Sequence, residues 1–302
     1  MVSNFVRKLL GRKPPLPPEV EEAHAELARL GQEKPVVAEL ADQVGACLSA
    51  AYAEPIRVVV PSITKEAAAE KISAGVPLLR GEKLDIDWAA AQRRLQDVVG
   101  ALIERQADAA PALARVVRSG QLAIAELTAA VLAGQLHIIH EQAGALGLDV
   151  TLTASVIPLA LFPVLVPIRV GLEPLLAAGH WKEGYCPMCG GYPKLGEFRG
   201  LEQIRFLRCG LCAAEWQFPR LRCPACGNHD HQRLGYLHVD GEQNKCRAAT
   251  CDECRQYVKM VSTLTPLSPM QLWVTDVATV HVDLLAADHG FSPQCTFMQA
   301  DH

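Results

Sequence analysis

The sequence predicts an α+β protein in which an N-terminal helical domain precedes two small tandem metal modules and a C-terminal helix. Half of the 302 residues are hydrophobic and only 5% are aromatic, so alanine, leucine and valine must form most of the core, which favours helices. Ten of the eleven cysteines follow Tyr185, and only Cys47 precedes it. The cysteines therefore characterise one region of the chain.

The part before the cysteines is predicted to be a tail and a helical domain. Residues 1–16 are expected to form a flexible tail, because four prolines between residues 14 and 18 favour an extended chain leading into the first helix. Residues 17–180 are assigned to the helical domain, and the chain length is typical of two domains. The first candidate helices run from Pro18 to Leu30 and from Pro35 to Ala51.

Two further helices are predicted from apolar residues at helical spacing. The clearer one follows Asp87, a typical N-cap residue, and its apolar face consists of Trp88, Ala91, Leu95, Val98, Val99, Leu102 and Ile103. A second single helix is expected after Gly120, with an apolar face formed by Leu122, Ala125, Ala129, Leu132, Leu136, Ile139 and Ala143. Between residues 156 and 174 the prolines are expected to break the chain into short buried turns and helix starts.

Membrane insertion and export are not expected. The most apolar run, Val156 to Ile168, is 13 residues long, whereas a spanning helix needs about 20. The N-terminal basic residues are followed by a proline-rich segment, not by the apolar core of a signal peptide. The sequence therefore predicts a soluble, cytoplasmic protein. Thiols stay reduced in that compartment, so paired cysteines there more often bind metal than form disulfides.

Short strands and a closing helix are predicted after a hinge at residues 179–184. The candidate strands are bounded by glycine, proline or cysteine pairs and run over Ile204–Arg208, Glu215–Leu221, Leu234–Val239 and Tyr257–Val261. The amphipathic helix from Asp276 to His289 carries Val277, Val280, Leu284 and Leu285 on one face.

Four CxxC pairs occupy the cysteine-rich region: Cys186/Cys189, Cys209/Cys212, Cys223/Cys226 and Cys251/Cys254. The first and third pairs share the pattern Cys-Pro-x-Cys-Gly, and each is followed by a further CxxC pair. This order indicates a duplicated unit. The spacing inside each unit is close to that of metal sites built from paired CxxC turns.

The paired cysteines predict two mononuclear metal ions. Two thiolates with two residues between them hold one ion from a tight turn, and a glycine after the second lets the backbone fold back. Two such turns supply four sulfurs at about 2.3 Å in tetrahedral geometry, which suits zinc or a single iron. Structural disulfides, a thioredoxin-like redox pair and an iron–sulfur cluster are the alternatives, and regular repeated pairs favour them less.

Four pairs can be matched in three ways, and the duplicated order favours neighbours. Site 1 is then Cys186, Cys189, Cys209 and Cys212. Site 2 is Cys223, Cys226, Cys251 and Cys254. Joining the inner two pairs would break the repeat.

Several motifs in this region resemble the FdhE family of formate dehydrogenase accessory proteins. They are Cys186-Pro187-Met188-Cys189-Gly190, Arg205-Phe206-Leu207-Arg208-Cys209-Gly210-Leu211-Cys212 with Glu215-Trp216, Cys223-Pro224-Ala225-Cys226-Gly227, Cys251-Asp252-Glu253-Cys254 with Tyr257-Val258-Lys259, and the closing segment Asp276–Leu285. The match covers about residues 185–291. A weaker similarity in the helical half consists of Gly75-Val76-Pro77-Leu78 with Leu84 and Asp85.

The resemblance implies an assembly role without catalysis. It implies two rubredoxin-like or zinc-ribbon-like modules, at residues 185–222 and 223–291, with the eight paired cysteines as ligands. It favours iron over zinc, which the spacing alone does not distinguish. It also implies a cytoplasmic protein of chaperone type that is needed for active formate dehydrogenase and binds its catalytic subunit before export. Whether the chain forms a homodimer stays open.

Other chemically notable residues have simpler interpretations. His137 and His140, followed by Glu141, are expected to pack or cap a helix rather than bind metal. Cys47 and Cys295 are interpreted as incidental thiols. Cys246, between Lys245 and Arg247, is the best candidate for a spare redox thiol.

Two alternative functions are a nucleic-acid-binding zinc-ribbon protein and a rubredoxin-like electron carrier. From Trp181 onward the chain has 12 Lys and Arg against 13 Asp and Glu. Four-thiolate sites make this region more negative still. Without a basic excess to neutralise phosphates, nucleic-acid binding is not expected.

Overall fold

Eight helices form the first half of the described chain. The computed structural model describes residues 15–135, 137–176 and 181–293. The helices are α1 Pro18–Glu33, α2 Ala38–Ala51, α3 Lys65–Ser73, α4 Trp88–Glu104, α5 Ala110–Arg118, α6 Ile124–Leu132, α7 Ile138–Ala145 and α8 Val150–Leu176. A 3-10 turn, Pro35–Val37, separates α1 from α2. The short antiparallel strands β1 Val58–Val59 and β2 Asp85–Ile86 pair with each other.

The helix predicted after Asp87 is confirmed as α4. The Asp87 side chain accepts a hydrogen bond from the Ala90 amide at 2.9 Å, which caps the helix. Its predicted apolar face is buried from Ala91 to Leu102. Arg94, which is not among the predicted apolar residues, is also buried. Its guanidinium donates to the Ala50 and Glu54 carbonyl oxygens, which ties α4 to the end of α2.

The prediction of one helix after Gly120 is wrong, because two helices, α6 and α7, occupy this stretch. The helix stops at Gly134, which has a φ of +87°, a conformation that glycine adopts without strain. The Gln135 amide donates back to the Ala130 carbonyl at 2.9 Å and closes the turn. Leu136, placed on the predicted apolar face, lies outside the described residues.

The expectation that prolines break residues 156–174 is also wrong. Helix α8 is continuous over 27 residues although it contains Pro158, Pro163, Pro167 and Pro174. An interior proline costs about 3 kcal/mol because it removes a hydrogen bond and crowds the preceding turn. Burial of Ile157, Leu161, Phe162 and Leu165 in the core opposes this cost. Tertiary packing therefore overrides the local preference.

Helix α8 is longer than the apolar run seen in the sequence. By length and composition alone it is able to cross a membrane, and it is the one such helix among the described residues. Of its most apolar 18-residue window, 56% is buried inside the structure. A buried core helix passes the same test of length and composition.

Seven strands form one continuous sheet in the second half of the described chain. Six of them are β3 Pro193–Arg199, β4 Ile204–Cys209, β5 Glu215–Gln217, β6 Leu234–Leu237, β7 Cys246–Cys251 and β8 Gln256–Thr263. The order across the sheet is β5-β4-β3-β8-β7-β6, and the short β9 Ser292–Pro293 pairs with β8. The four predicted strands are present, although β5 and β6 are shorter than predicted. Strands β3 and β7 were not predicted.

The sheet consists of two equivalent antiparallel units. In each unit a hairpin, β3-β4 or β6-β7, is followed by a third strand that pairs with the second. The parallel pairing of β3 with β8 joins the units. The mixed fold with two tandem modules is therefore confirmed, and the modules share one sheet.

The single closing helix predicted over Asp276–His289 is wrong, because two helices, α9 Pro269–Ala278 and α10 Val280–Asp288, meet at Thr279. Ser268 and Gln271 form a capping box at the start of α9. The Asp276 carbonyl accepts from the Lys259 ammonium at 2.9 Å, so a buried lysine occupies an acceptor at the break. Leu284, predicted on the apolar face, is 60% exposed.

The two halves of the chain contact each other closely. Phe162 of α8 packs edge-on against Trp273 of α9, with ring centroids 5.4 Å apart. Of the predicted hinge at residues 179–184, residues 179 and 180 lie outside the described residues, as do residues 1–14 of the predicted tail. Beyond them, Tyr185 donates to the Gly75 carbonyl at 2.7 Å and Arg222 donates to the Lys182 carbonyl at 3.0 Å. The domain boundaries themselves stay predictions.

Candidate metal centres

The four CxxC turns share one backbone conformation. In each turn the amide of the fourth residue after the first cysteine donates to that cysteine's carbonyl, and this residue has a positive φ. The residues are Gly190 (φ +81°), Ala213 (+58°), Gly227 (+76°) and Arg255 (+55°). The glycines predicted to let the chain fold back therefore have that role at two turns. The other two turns adopt the same left-handed conformation without glycine.

Site 1 brings together the four sulfurs of the first two turns. The Sγ atoms of Cys186 and Cys212 lie 3.6 Å apart, those of Cys189 and Cys209 lie 3.4 Å apart, and all four lie within 4.8 Å of one another. Four metal–sulfur bonds of about 2.3 Å in a tetrahedron give sulfur–sulfur distances of about 3.8 Å. The sulfur arrangement therefore fits one tetrahedral ion with only a small expansion.

Backbone amides support the negative charge that four thiolates bring to site 1. The Met188 amide donates to the Cys186 sulfur and the Leu211 amide donates to the Cys209 sulfur, both at 3.4 Å. All four cysteines are fully buried. Such donors favour the thiolate form that a metal ion needs.

Site 1 is attached directly to the helical half. The Leu78 and Leu79 amides donate to the carbonyls of Pro187 and Met188, at 2.8 and 2.9 Å. A Cβ added to Gly190 would lie 3.3 Å from Pro77. The Gly75–Leu78 segment, whose sequence resembles the FdhE family only weakly, therefore forms a contact between the helical half and the first metal turn.

Site 2 has the same geometry at the surface. The Sγ atoms of Cys223 and Cys254 lie 3.7 Å apart, as do those of Cys226 and Cys251. The Asn228 side-chain amide lies 3.6 Å from the Cys251 sulfur. A hydrogen bond with Cys254 lowers the pKa of the Cys223 thiol to about 5. Cys226 is exposed and Cys254 is half-buried, so this site faces solvent where site 1 does not.

The structure thus groups the eight cysteines as neighbouring pairs, in the two sets predicted. Binding of metal by these cysteines stays a prediction. The sulfur distances and the amide donors fit a four-thiolate ion, and such a ligand set accepts zinc or iron.

A buried charge cluster lies beside site 1 and links the two modules. Glu197 of β3 is fully buried, and its carboxylate accepts hydrogen bonds from Arg199 at 3.0 Å, from Arg208 and from the Thr263 hydroxyl at 2.9 Å. Burial alone would raise the pKa of Glu197, but the two arginines lower it below its usual value. Since Thr263 belongs to β8, this carboxylate holds both modules.

The other chemically notable residues that the structure describes lie apart from the two four-cysteine sites. Burial raises the pKa of Cys47 to about 12, and its thiol contacts the Val98 carbonyl, so it is a packing residue. His137 directly precedes α7, and burial lowers the pKa of His140. Within the described ranges, neither histidine belongs to a cluster of three metal-binding side chains. Cys295 lies outside the described residues.

One cluster outside the two sites was not predicted. Glu242, Cys246 and His281 place their ligand atoms within 4.8 Å of one another. Burial and the Glu242 carboxylate raise the pKa of Cys246, which argues against the reactive thiol suggested by its basic neighbours. The spacing of Glu242 and Cys246 was a usable signal, but nothing in the sequence indicated that His281 lies beside them.

Comparison with known proteins places these sites in a family. The sequence model of the FdhE central domain matches residues 185–220, and that of the FdhE C-terminal domain matches residues 221–298. An FdhE homologue of Stutzerimonas stutzeri is 35% identical over 149 residues, which are 44% of this chain and 47% of that protein. The FdhE protein of Escherichia coli is 38% identical over 82 residues, 26% of this chain and 25% of that protein.

An FdhE homologue of Aquifex aeolicus is 33% identical over 116 residues, 37% of this chain and 40% of that protein. The matched segments thus span less than half of these relatives. The crystal structure of the FdhE protein from Pseudomonas aeruginosa has a similar fold, with a TM-score of 0.56 over 93% of this chain and 95% of that one, at 22% identity. Residues 185–298 of this chain therefore match the FdhE central and C-terminal domains, and each domain contains one of the two four-cysteine clusters.

Proposed function

We propose that this chain is an accessory protein for formate dehydrogenase that carries two mononuclear metal ions. It binds the catalytic subunit of that enzyme in the cytoplasm, before the subunit is exported. The observation that carries the proposal is the pair of four-cysteine clusters inside the FdhE central and C-terminal domains. The assembly role itself is the role that the resemblance to the FdhE family implies.

The geometry of the sites favours a role without catalysis. A catalytic metal site keeps an open coordination position, whereas four protein thiolates fill a tetrahedral ion. The site 1 sulfurs are fully buried and receive amide hydrogen bonds. Site 1 therefore serves as a structural centre on which the first module folds, since binding free energy at such sites is folding free energy.

Iron is the metal we propose for both sites. An iron ion bound there would supply one-electron redox chemistry, which zinc does not. Protein isolated without air is expected to absorb visible light through thiolate-to-iron charge transfer. A colourless preparation with two zinc ions per chain would contradict iron and leave the assembly role standing.

The charge distribution supports a protein partner over a nucleic acid. From Trp181 onward the chain has 12 basic residues. Several of them form ion pairs with carboxylates inside the fold and contribute little basic surface. Arg199 and Arg208 bind Glu197, and Lys259 binds Asp276 at 2.7 Å. A phosphate backbone needs a free basic stripe to give strong, salt-dependent binding.

The decisive test captures the client. The tagged chain is expressed in its native host and purified under reducing, oxygen-free conditions, and the co-purifying proteins are identified. We expect the catalytic subunit of formate dehydrogenase to be retained. Gly100→Ala is the control variant, because nothing lies within 4 Å of the added methyl group. Absence of that subunit from the wild-type eluate would overturn the proposal, and binding to DNA with a steep salt dependence would favour the zinc-ribbon alternative.

A rubredoxin-like electron carrier is a second candidate, favoured by the exposure of Cys226 at site 2. In that case an iron-loaded preparation would exchange electrons with reduced formate dehydrogenase through site 2. Cys226→Ser would abolish this exchange and leave capture of the catalytic subunit unchanged. If the chain acts only in assembly, the wild type does not exchange electrons with formate dehydrogenase, and Cys226→Ser does not change this measurement.

A further inference from the structure

The loop between β6 and β7, the first residue of β7 and the start of α10 bring together three side chains of different chemistry. The Cys246 amide donates to the Glu242 carbonyl at 3.1 Å and closes a single helical turn. Residues four apart in such a turn face the same way. His281 is the second residue of α10, and its ring lies over that turn.

Three ligand atoms converge at this point. The Cys246 sulfur lies 3.6 Å from His281 Nε2 and 3.6 Å from Glu242 Oε2, and these two atoms lie 2.8 Å apart. A zinc ion with one sulfur at about 2.3 Å and nitrogen and oxygen at about 2.0–2.1 Å requires sulfur distances of about 3.6 Å. The two sulfur distances thus fit, and only the Nε2–Oε2 distance must widen, by about 0.5 Å on the same geometry.

A nucleophilic triad is a poorer account of the same residues. In a Cys-His-acid triad, the thiol and the acid contact opposite ring nitrogens, so that the acid orients the base. Here the sulfur and the carboxylate both contact Nε2. Convergence of three atoms on one point is the arrangement of metal ligands.

We propose that Glu242, Cys246 and His281 form a third metal site, for zinc, beyond the two four-cysteine sites. One thiolate and one carboxylate would neutralise a divalent ion, and the sulfur and nitrogen donors favour zinc over magnesium or calcium. The side chains of His281 and Glu242 are 34% and 35% exposed, so the fourth position faces solvent. The ion would fasten α10 to the β6–β7 loop.

Nearby positive charge limits the affinity of this site. Lys34, which follows α1, acts electrostatically on Glu242 and on Cys246, and Lys259 acts on Cys246. Like charges repel an incoming cation. Lys34→Gln is therefore expected to tighten zinc binding several-fold, while removal of a ligand weakens it.

The test counts ions in the full chain. Wild-type protein is equilibrated with buffered zinc, and the total zinc and iron per chain is measured by elemental analysis. We expect three ions in the wild type and two in Cys246→Ser and in His281→Gln. His289→Gln is the matched control directly after the same helix, where Nδ1 contacts the Leu285 carbonyl, and it should retain three.

A second measurement guards against misfolding of the variants. Glu242→Gln keeps the shape of the side chain, and we expect its zinc affinity at the third site to fall by about tenfold or more. Cobalt added to wild type that holds zinc in the two four-cysteine sites alone should give a four-coordinate visible spectrum with charge transfer from one thiolate, which Cys246→Ser lacks. Two ions in the wild type, or three in the folded ligand variants, would overturn the site. Neither result bears on capture of formate dehydrogenase.

Discussion

Gly196 of β3 lies directly opposite Met260 of β8, in the parallel strand pair that joins the two metal modules. A Cβ at position 196 would lie 2.6 Å from the Met260 sulfur and 2.9 Å from the Phe206 carbonyl oxygen. The joint between the modules therefore requires a residue without a side chain at this position. The duplicated modules are held as one sheet by close packing as well as by hydrogen bonds.

Gly196→Ala is expected to destabilise the protein by about 1–3 kcal/mol, because the added methyl group overpacks a buried contact that includes backbone. Gly100→Ala is the matched control in α4, where nothing lies within 4 Å. It should stabilise the helix by about 1 kcal/mol. Urea denaturation of the two variants measures both effects, and equal stability of the two would contradict the account of the joint.

Substitution of one cysteine should empty one four-cysteine site and leave the other four-cysteine site filled. Cys189→Ser is expected to empty site 1 and cause the larger loss of stability, because that sulfur is fully buried and its module is bonded to the helical half. Cys226→Ser should empty site 2 with a smaller loss, since Cys226 is exposed. Metal content and melting temperature measure both. Loss of both ions from the Cys189 variant with the fold retained would argue against separate sites.

Gly227→Ala tests the left-handed turn of site 2. The added methyl group would meet only the Arg222 side chain, at 3.7 Å, so the cost arises from the φ of +76°. That conformation costs a residue with a Cβ about 1–2 kcal/mol. If the cost falls on the metal-bound turn, the affinity of site 2 falls by about tenfold.

Competition with a metal chelator gives that affinity. Gly144→Ala is the control, because it lies in α7 with nothing within 4 Å. Unchanged chelator resistance of the Gly227 variant would mean that the turn tolerates the methyl group.

Removal of the buried carboxylate should have a pH-dependent effect. At pH 7, Glu197→Gln is expected to lower the free energy of unfolding by about 3 kcal/mol, because Arg208 loses its buried carboxylate partner, while Arg199 keeps its second partner, Glu215. The folded-state pKa of Glu197 is lowered from 4.5. Its stabilisation is therefore fully present above pH 4.5 and is lost as the pH falls through the lower folded value.

The difference in stability between the wild type and this variant should thus shrink on acidification below pH 4.5. Acid also releases metal from thiolates, but this affects both proteins and cancels in the difference. The exposed Glu202 serves as the control, since Glu202→Gln removes a carboxylate from the surface and should leave the free energy of unfolding at pH 7 nearly unchanged. A difference in the free energy of unfolding between the wild type and Glu197→Gln that stays constant with pH would refute the role of the ionised Glu197 carboxylate.

The local signals in the sequence were sufficient for the metal turns and for α4. A CxxC turn needs only a few neighbouring residues, and Asp87 caps a helix whose apolar residues repeat on one face. Because these interactions are short in range, the sequence determined them, together with the duplicated order that groups Cys186 with Cys209 and Cys223 with Cys251. The closing helix was predicted without its break at Thr279, where a lysine distant in the sequence occupies the Asp276 carbonyl.

Only the tertiary structure decided the rest. Packing of Ile157 and Phe162 in the core keeps α8 continuous through four prolines, although each proline by itself favours a break. The parallel pairing of β3 with β8 joins strands about sixty residues apart, and the approach of His281 to Cys246 spans 35 residues. Contacts between distant residues depend on how whole elements pack, and hydrophobic periodicity and motif spacing carry no record of that arrangement.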